Sequence, residues 1–186
     1  MLTLISLSGL EPVTLAEAAL AARVDGPELD AFILGAITSA RESAEQITGR
    51  AYRPQVKRES LVDWPTKPIA VHAATACAVS YWSGSAWVTL AEAAYVFVPA
   101  DSGSGTVLAP ALGTSWPTLG AIAAGPRVRI DLTAGPASPV DVREAVKLYI
   151  KASVAAWIKS PEALTGDRLQ RNPLFDSLLD EQRLWS

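Results

Sequence analysis

A chain of 186 residues with a net charge of −3 and only 19% charged residues can form one domain, or one domain carrying a large insert, and bury roughly 70% of its unfolded surface. The charged fraction lies below the usual ~25%, which fits either extra surface buried between subunits or an alanine-rich monomer. The single cysteine, Cys77, excludes an internal disulfide and a zinc site built on several thiolates.

The opening Met1-Leu2-Thr3-Leu4-Ile5 lacks the basic region and the length of a signal peptide, and no apolar run reaches the ~20 residues of a membrane span. A reduced intracellular assembly compartment is expected. Residues 11–50 read as a helical hairpin. Thr14 and Glu17 have capping-box spacing, the hydroxyl taking a free helix N–H and the carboxylate reaching back to the cap. This predicts a short helix from Leu15 to about Val24, stopped at Asp25-Gly26. Pro27 suits the first position of a second helix, where its missing N–H costs nothing. Leu29, Phe32, Ile33, Ala36, Ile37, Ala40, Ala44 and Ile47 share one helical stripe, with Arg41, Glu42 and Glu45 outside it. Gly49 closes the run.

From Tyr52 to about Leu132 the pattern turns extended. Residues 56–62 alternate without a clean apolar face. Ala78–Trp82 and Ala86–Leu90 flank a Ser-Gly-Ser turn and predict a hairpin. Tyr95–Val98 is a short buried strand, Asp101–Gly105 a turn, and Thr106-Val107-Leu108 its return. Residues 109–126, rich in Gly, Pro and Ala, form a long loop whose order the sequence leaves open. Arg127–Leu132 alternates as a half-buried strand. Together these predict a small antiparallel sheet inserted between helices.

Ser138-Pro139 opens a long helix to about 159, with Val142, Ala145, Val146, Tyr149, Ile150, Ser153 and Trp157 as its core stripe. Leu148 and Ile158 fall off that stripe and are candidates for a subunit contact. Residues 161–171 read as a polar linker, and Asn172-Pro173 starts a short amphipathic tail. Phe175, Leu178, Leu179 and Trp185 line one face of it. Such a short helix is marginal in water. Burying four such side chains is worth roughly 6–12 kcal/mol gross, against ordering costs of about 1–2 kcal/mol per residue. The tail therefore needs contacts, from its own domain or from a partner.

The segment Glu11-Pro12-Val13-Thr14-Leu15-Ala16-Glu17-Ala18, the Arg23-Val24-Asp25-Gly26 turn and the closing Thr48-Gly49-Arg50 resemble the start of the head–tail connector (adaptor) proteins of tailed bacteriophages and phage-like gene transfer agents. Ser115-Trp116-Pro117, then Arg127-Val128-Arg129-Ile130 running into Ala134-Gly135 and Pro139, continue the likeness in order over most of residues 10–160. The resemblance implies a non-enzymatic structural protein whose copies form a ring, dodecameric in this family, beneath the portal. Such a ring extends the DNA channel and docks a stopper or other tail-side connector protein. Duplex DNA would pass without sequence-specific binding, and no cofactor, metal or membrane is involved. The expected place is the head–tail interface of a virion assembled in the bacterial host cytoplasm. C-terminal segments in these connectors reach the portal, which makes Phe175, Leu178, Leu179 and Trp185 the expected portal anchors.

The fold expected from all this is α+β and mainly helical. An N-terminal hairpin and a long C-terminal helix pack together, with a small antiparallel β insert at about 52–135. The connector core would span 1–160, the linker 161–171 and the anchoring tail 172–186.

Catalytic chemistry is hard to assemble from these residues. His72, the sole histidine, stands in an apolar stretch without a neighbouring acid, so a Ser-His-Asp or Cys-His arrangement has little to build on. Cys77, among alanines and valine, reads as a small buried hydrophobe. Asp101-Ser102-Gly103-Ser104-Gly105 lacks the lysine and further acids of a phosphate or cation loop. Lys57 with Arg58, and Arg168 with Arg171, are small positive spots rather than a basic stripe. A duplex carries a phosphate every ~1.7 Å, and each paired cation adds salt-sensitive grip, so a sparse set of cations suits a conduit. Trp64, Trp82, Trp87 and Trp116 are either the core of the sheet or a stacking surface. The second option keeps a rival reading open, a Trp-rich binding module for a sugar or peptide. A stopper or tail-completion protein is the neighbouring alternative.

Overall fold

The computed structural model describes residues 2–67, 74–99, 107–159 and 177–183. His72, the 101–105 turn, the linker, Phe175 and Trp185 lie outside them. The chain divides into two units. One holds residues 2–8 and 54–135; the other holds Gly9–Arg53 and the chain from Pro136 onward to Arg183.

The helical unit contains α1 (Leu15–Ala22), α2 (Asp30–Thr48) and α3 (Glu144–Lys159). The capping box forms as the spacing predicts. The Glu17 N–H donates to Thr14 Oγ1 at 3.3 Å, and the Thr14 N–H donates to Glu17 Oε2 at 2.8 Å. The Thr14 hydroxyl also donates to Glu17 Oε2 at 2.7 Å, and the bonds that the carboxylate accepts, first from the Thr14 backbone and then from its hydroxyl, hold the Glu17 carboxyl below its ordinary pKa. α1 ends at Arg23, which takes the left-handed conformation. α2 begins at Asp30, three residues after Pro27, because the Asp30 N–H first closes a turn onto the Pro27 carbonyl. Gly49 caps its end at φ 71°. Likewise Pro139 opens a short 3₁₀ turn over Pro139–Asp141, Val142 is extended, and α3 starts only at Glu144.

All three helices pack on one another. Ile33, Ile37, Val146, Ile150 and Val154 are essentially sealed from solvent, with Val13, Ala18, Ala40 and Ala44 between them. Fully burying an Ile or Val side chain stabilises by roughly 1.5–3 kcal/mol.

The sheet unit is five-stranded and antiparallel, in the order β1-β2-β7-β3-β4. The strands are β1 (Leu2–Leu7), β2 (Gln55–Leu61), β3 (Ala74–Trp82), β4 (Trp87–Thr89) and β7 (Val128–Ala134), while β5 (Tyr95–Val98) and β6 (Val107–Pro110) form a separate ribbon. Central β7 buries Val128, Ile130, Leu132 and Ala134 and turns Arg129 and Asp131 to the other face, as its alternation predicts. Val79, Tyr95 and Leu108 join that core. The Tyr95 hydroxyl donates to the Cys77 carbonyl at 2.9 Å, and burial pushes its pKa up to about 12.

The mainly helical expectation is therefore corrected. Among the described residues 34% are helical and 26% lie in strands. Two things were underestimated: β3 runs nine residues, and β1 joins the sheet from ahead of the helical hairpin, so the sheet is more than an insert.

Candidate functional site

Among the described residues no group of three or more His, Cys, Asp or Glu is placed to hold a metal ion, and no helix is long and apolar enough to cross a membrane. Cys77 is half-buried, and burial pushes its thiol pKa up, which disfavours the thiolate a nucleophile needs. The candidate sites are surfaces, together with the side chains that fix them.

In the helical unit α1 and α3 line an open groove of about 400 Å³. Leu20, Ala21, Leu148, Ala152 and Ala155 form its apolar lining, and Glu17 and Lys151 its polar one. Leu20 is 81% exposed and Leu148 50%, large values for leucine on a helix. Leu148 thus stands on an open apolar face. Ile158, grouped with it at the sequence level, is partly buried against the helical core. The tail residues divide similarly. Leu179 is completely buried in that core and Leu178 packs against it, so this part of the tail touches its own domain.

One polar cluster went unread in the sequence. Arg41, assigned to the outside of the α2 stripe, is 98% buried, its side chain at 2% exposure. Its guanidinium meets Glu11 at 2.9 Å, Glu45 at 3.0 Å and Glu42 at 3.2 Å. Arg53 joins through Glu11 at 2.8 Å and also donates to the Gly9 carbonyl. Burial alone lowers the Arg41 pKa, but Glu45 and Glu11 outweigh it and the net shift is upward. The cluster ties the lead-in segment 9–13 and the segment after α2 to the middle of α2. Its sequence signal was an arginine and a glutamate four apart, the spacing of an i,i+4 pair; the decisive partner, Glu11, is thirty residues away.

In the sheet unit the tryptophans form two groups. Trp64 stacks on Trp116 with centroids 4.5 Å apart, and its indole N–H donates to the Pro117 carbonyl at 2.9 Å. Both side chains pack on the sheet core. Trp82 meets Trp87 edge-on at 5.9 Å, and the Arg129 guanidinium lies 3.7 Å over Trp87, a cation–π contact. Trp82 also donates to the Ala121 carbonyl. Gly120 packs its backbone against Ser83 and Gly84 so closely that no side chain fits there. The long loop is thus fastened by indole hydrogen bonds and a glycine contact. On the polar face Arg58 makes a two-pronged pair with Asp131 at 2.6 and 2.7 Å. β1 is an edge strand without a charged residue, with Leu4, Ile5 and Leu7 partly exposed.

No family model matches the sequence, and no curated protein matches it. Solved structures do. A chain from the neck of an empty GTA particle computed with C6 symmetry is similar at a TM-score of 0.77 and 20% identity, covering 100% of this chain and 96% of that one. A chain from the virion of a native gene transfer agent (GTA) particle gives 0.77 and 21% over the same shares. Another, from the neck of a native GTA particle computed with C12 symmetry, gives 0.70 and 21%, covering 99% of this chain and 96% of that one. The chain shares their fold from end to end.

Proposed function

We propose that this chain is a structural, non-enzymatic component of the neck of a phage-like particle. In the finer reading it is a head–tail connector whose copies form a ring below the portal, extend the DNA channel and dock a stopper or other tail-side protein. The observation that carries the reading is the end-to-end fold likeness to chains from GTA necks and a GTA virion. The symmetry of two of those particle reconstructions, C6 and C12, supports a ring. An exposed apolar groove on the helical unit supplies surface for protein contacts rather than chemistry.

The rival Trp-rich binding module draws less support. Trp64 and Trp116 stack on each other and pack against the sheet core, and Trp87 is already covered by Arg129. Those faces are used internally.

Portal binding is assigned to the tail at 172–186. Within it, Leu179 fastens the segment to its own core and Phe175 and Trp185 carry the external contact. The test is capture of portal from particle-producing cells by an N-terminally tagged chain, comparing the native sequence with F175S/W185S. Portal captured by the native chain and lost in the variant is the expected result. If the native chain captures no virion protein, the connector reading fails. If the variant captures portal undiminished, the anchor assignment fails. Capture of a tail-side protein without portal would favour the stopper position.

A further inference from the structure

Two surfaces of the helical unit are left open among the described residues. One is the groove along the seam of α1 and α3, lined by no residue of α2. The other is the outward ridge of α2, one half-turn of the helix away from its buried stripe of Ile33, Ile37, Ala40 and Ala44. Ala31, Gly35 and Ser39, spaced four apart, form this ridge. Gly35 is exposed, and a Cβ added there would meet nothing within 4 Å. Glycine inside a helix costs stability relative to alanine, and no neighbour among the described residues requires it. A backbone left bare on an exposed ridge suits close approach by another helix. Leu34, beside it, is 51% exposed.

The charges complement as well. Outside its buried Arg41, α2 carries only acids, Asp30, Glu42 and Glu45; Glu45 is turned into the Arg41 cluster, whereas Glu42, also paired with Arg41, keeps its side chain 58% exposed. α3 carries Lys147, Lys151 and Lys159 against one acid, Glu144, which pairs with Lys147 at 2.7 Å. Lys151 lines the groove and has no ion pair among the described residues. Small residues on the ridge suit a largely apolar groove, and the exposed Glu42 of α2 complements Lys151, which shares the groove with Glu17.

We infer that the α1–α3 groove receives the α2 ridge of a second copy of this chain. This is ridges-into-grooves packing between two different patches, so the contact is heterologous and propagates head to tail, closing into a ring when the rotation allows. A two-fold dimer would instead pair one patch with itself. The inference rests on the ring reading above and specifies its lateral contact.

Disulfide trapping tests it. Cys77→Ala removes the native thiol. On that background Gly35→Cys and Ala152→Cys are made in the full chain, separately and together, and oxidised at high protein concentration. The doubly substituted chain should give a ladder of dimers, trimers and larger species on a non-reducing gel. A mixture of the two single variants should give one heterodimer band and nothing larger. Homodimers from Gly35→Cys alone, or from Ala152→Cys alone, would show a two-fold contact and overturn the proposal. So would a doubly substituted chain that stays monomeric while its circular dichroism matches the native spectrum. Portal capture is read separately. Capture without a ladder removes this contact and keeps the connector reading, whereas a ladder without capture keeps the contact and removes the connector.

Discussion

The two units use arginine in different ways. In the helical unit Arg41 sits at 2% exposure among Glu11, Glu42 and Glu45, so its charge is compensated inside protein. In the sheet unit Arg58 makes the better bond geometry, two prongs at 2.6 and 2.7 Å to Asp131, yet its side chain is 29% exposed and that of Asp131 28%. Desolvation separates the two sites. A buried group deprived of its partner cannot return to water, whereas an exposed one can.

Removing the guanidinium should therefore have the largest effect. Arg41→Met keeps the length and apolar stem but leaves Glu11 and Glu45, at 20% and 13% exposure, short of a cation. Breaking a buried pair from one side costs about 3–5 kcal/mol. Arg53 still neutralises Glu11 in part, which places the expected loss toward the lower end. Urea denaturation followed by far-ultraviolet circular dichroism measures it. A loss of under ~1 kcal/mol would mean that Arg41 behaves as a surface residue.

Next comes the sheet unit without its charges. Ile130, central on β7, is fully buried between β2 and β3. Ile130→Ala should cost about 2–4 kcal/mol from lost transfer free energy and the cavity left behind. The same urea experiment reads this. An effect as small as that of an exposed alanine substitution would show that the β2–β7–β3 core repacks freely.

These two positions also mark what could be read from the sequence. Ile130 was legible, because period-two alternation on one strand is a local signal and the structure keeps it over the whole of β7. Arg41 was not, because its burial depends on Glu11, which is brought near only by the fold. β1 escaped for a different reason. Its leucines alternate correctly to Leu4, then Ile5 is inserted as a bulge between Leu4 and Ser6, and the shifted register hides the pattern. Helix starts were misplaced at both prolines. Pro27 and Pro139 each satisfy the local rule for a first helical position, yet each opens a turn before the helix proper. Of the candidate surface, Leu148 was visible as an apolar residue off its stripe. The groove around it was not, since it needs Leu20 of α1 alongside.

A smaller effect is expected at the hairpin's start. Thr14→Ala removes the hydroxyl that accepts from the Glu17 N–H and should cost about 1 kcal/mol. The pH dependence sharpens this. The folded-state pKa of Glu17 is depressed by its bonds to Thr14, so its contribution is present above the unfolded carboxylate value and is lost as pH falls through the folded one. The stability difference between native chain and variant should shrink on acidification below the ordinary glutamate range. A difference that grows instead would contradict the capping box as the source.

The smallest effect should come from the best-looking ion pair. Arg58→Leu breaks both prongs to Asp131, and hydrogen bonding to that carboxylate is the main reason the Arg58 pKa is raised. Even so, both groups keep access to water. Exposed pairs typically contribute ~0.2–1 kcal/mol, less as salt rises. Leucine on a half-buried strand face also recovers part of the loss, because it suits a pleated surface better than a freed charge does. The expected change is under ~1 kcal/mol, diminishing in high salt, while the Arg41→Met loss should barely respond to salt. If Arg58→Leu instead matched Arg41→Met and ignored salt, Arg58 and Asp131 would have to be shielded from solvent in the working protein. Bond geometry and burial would then no longer be separable by comparing these two arginines.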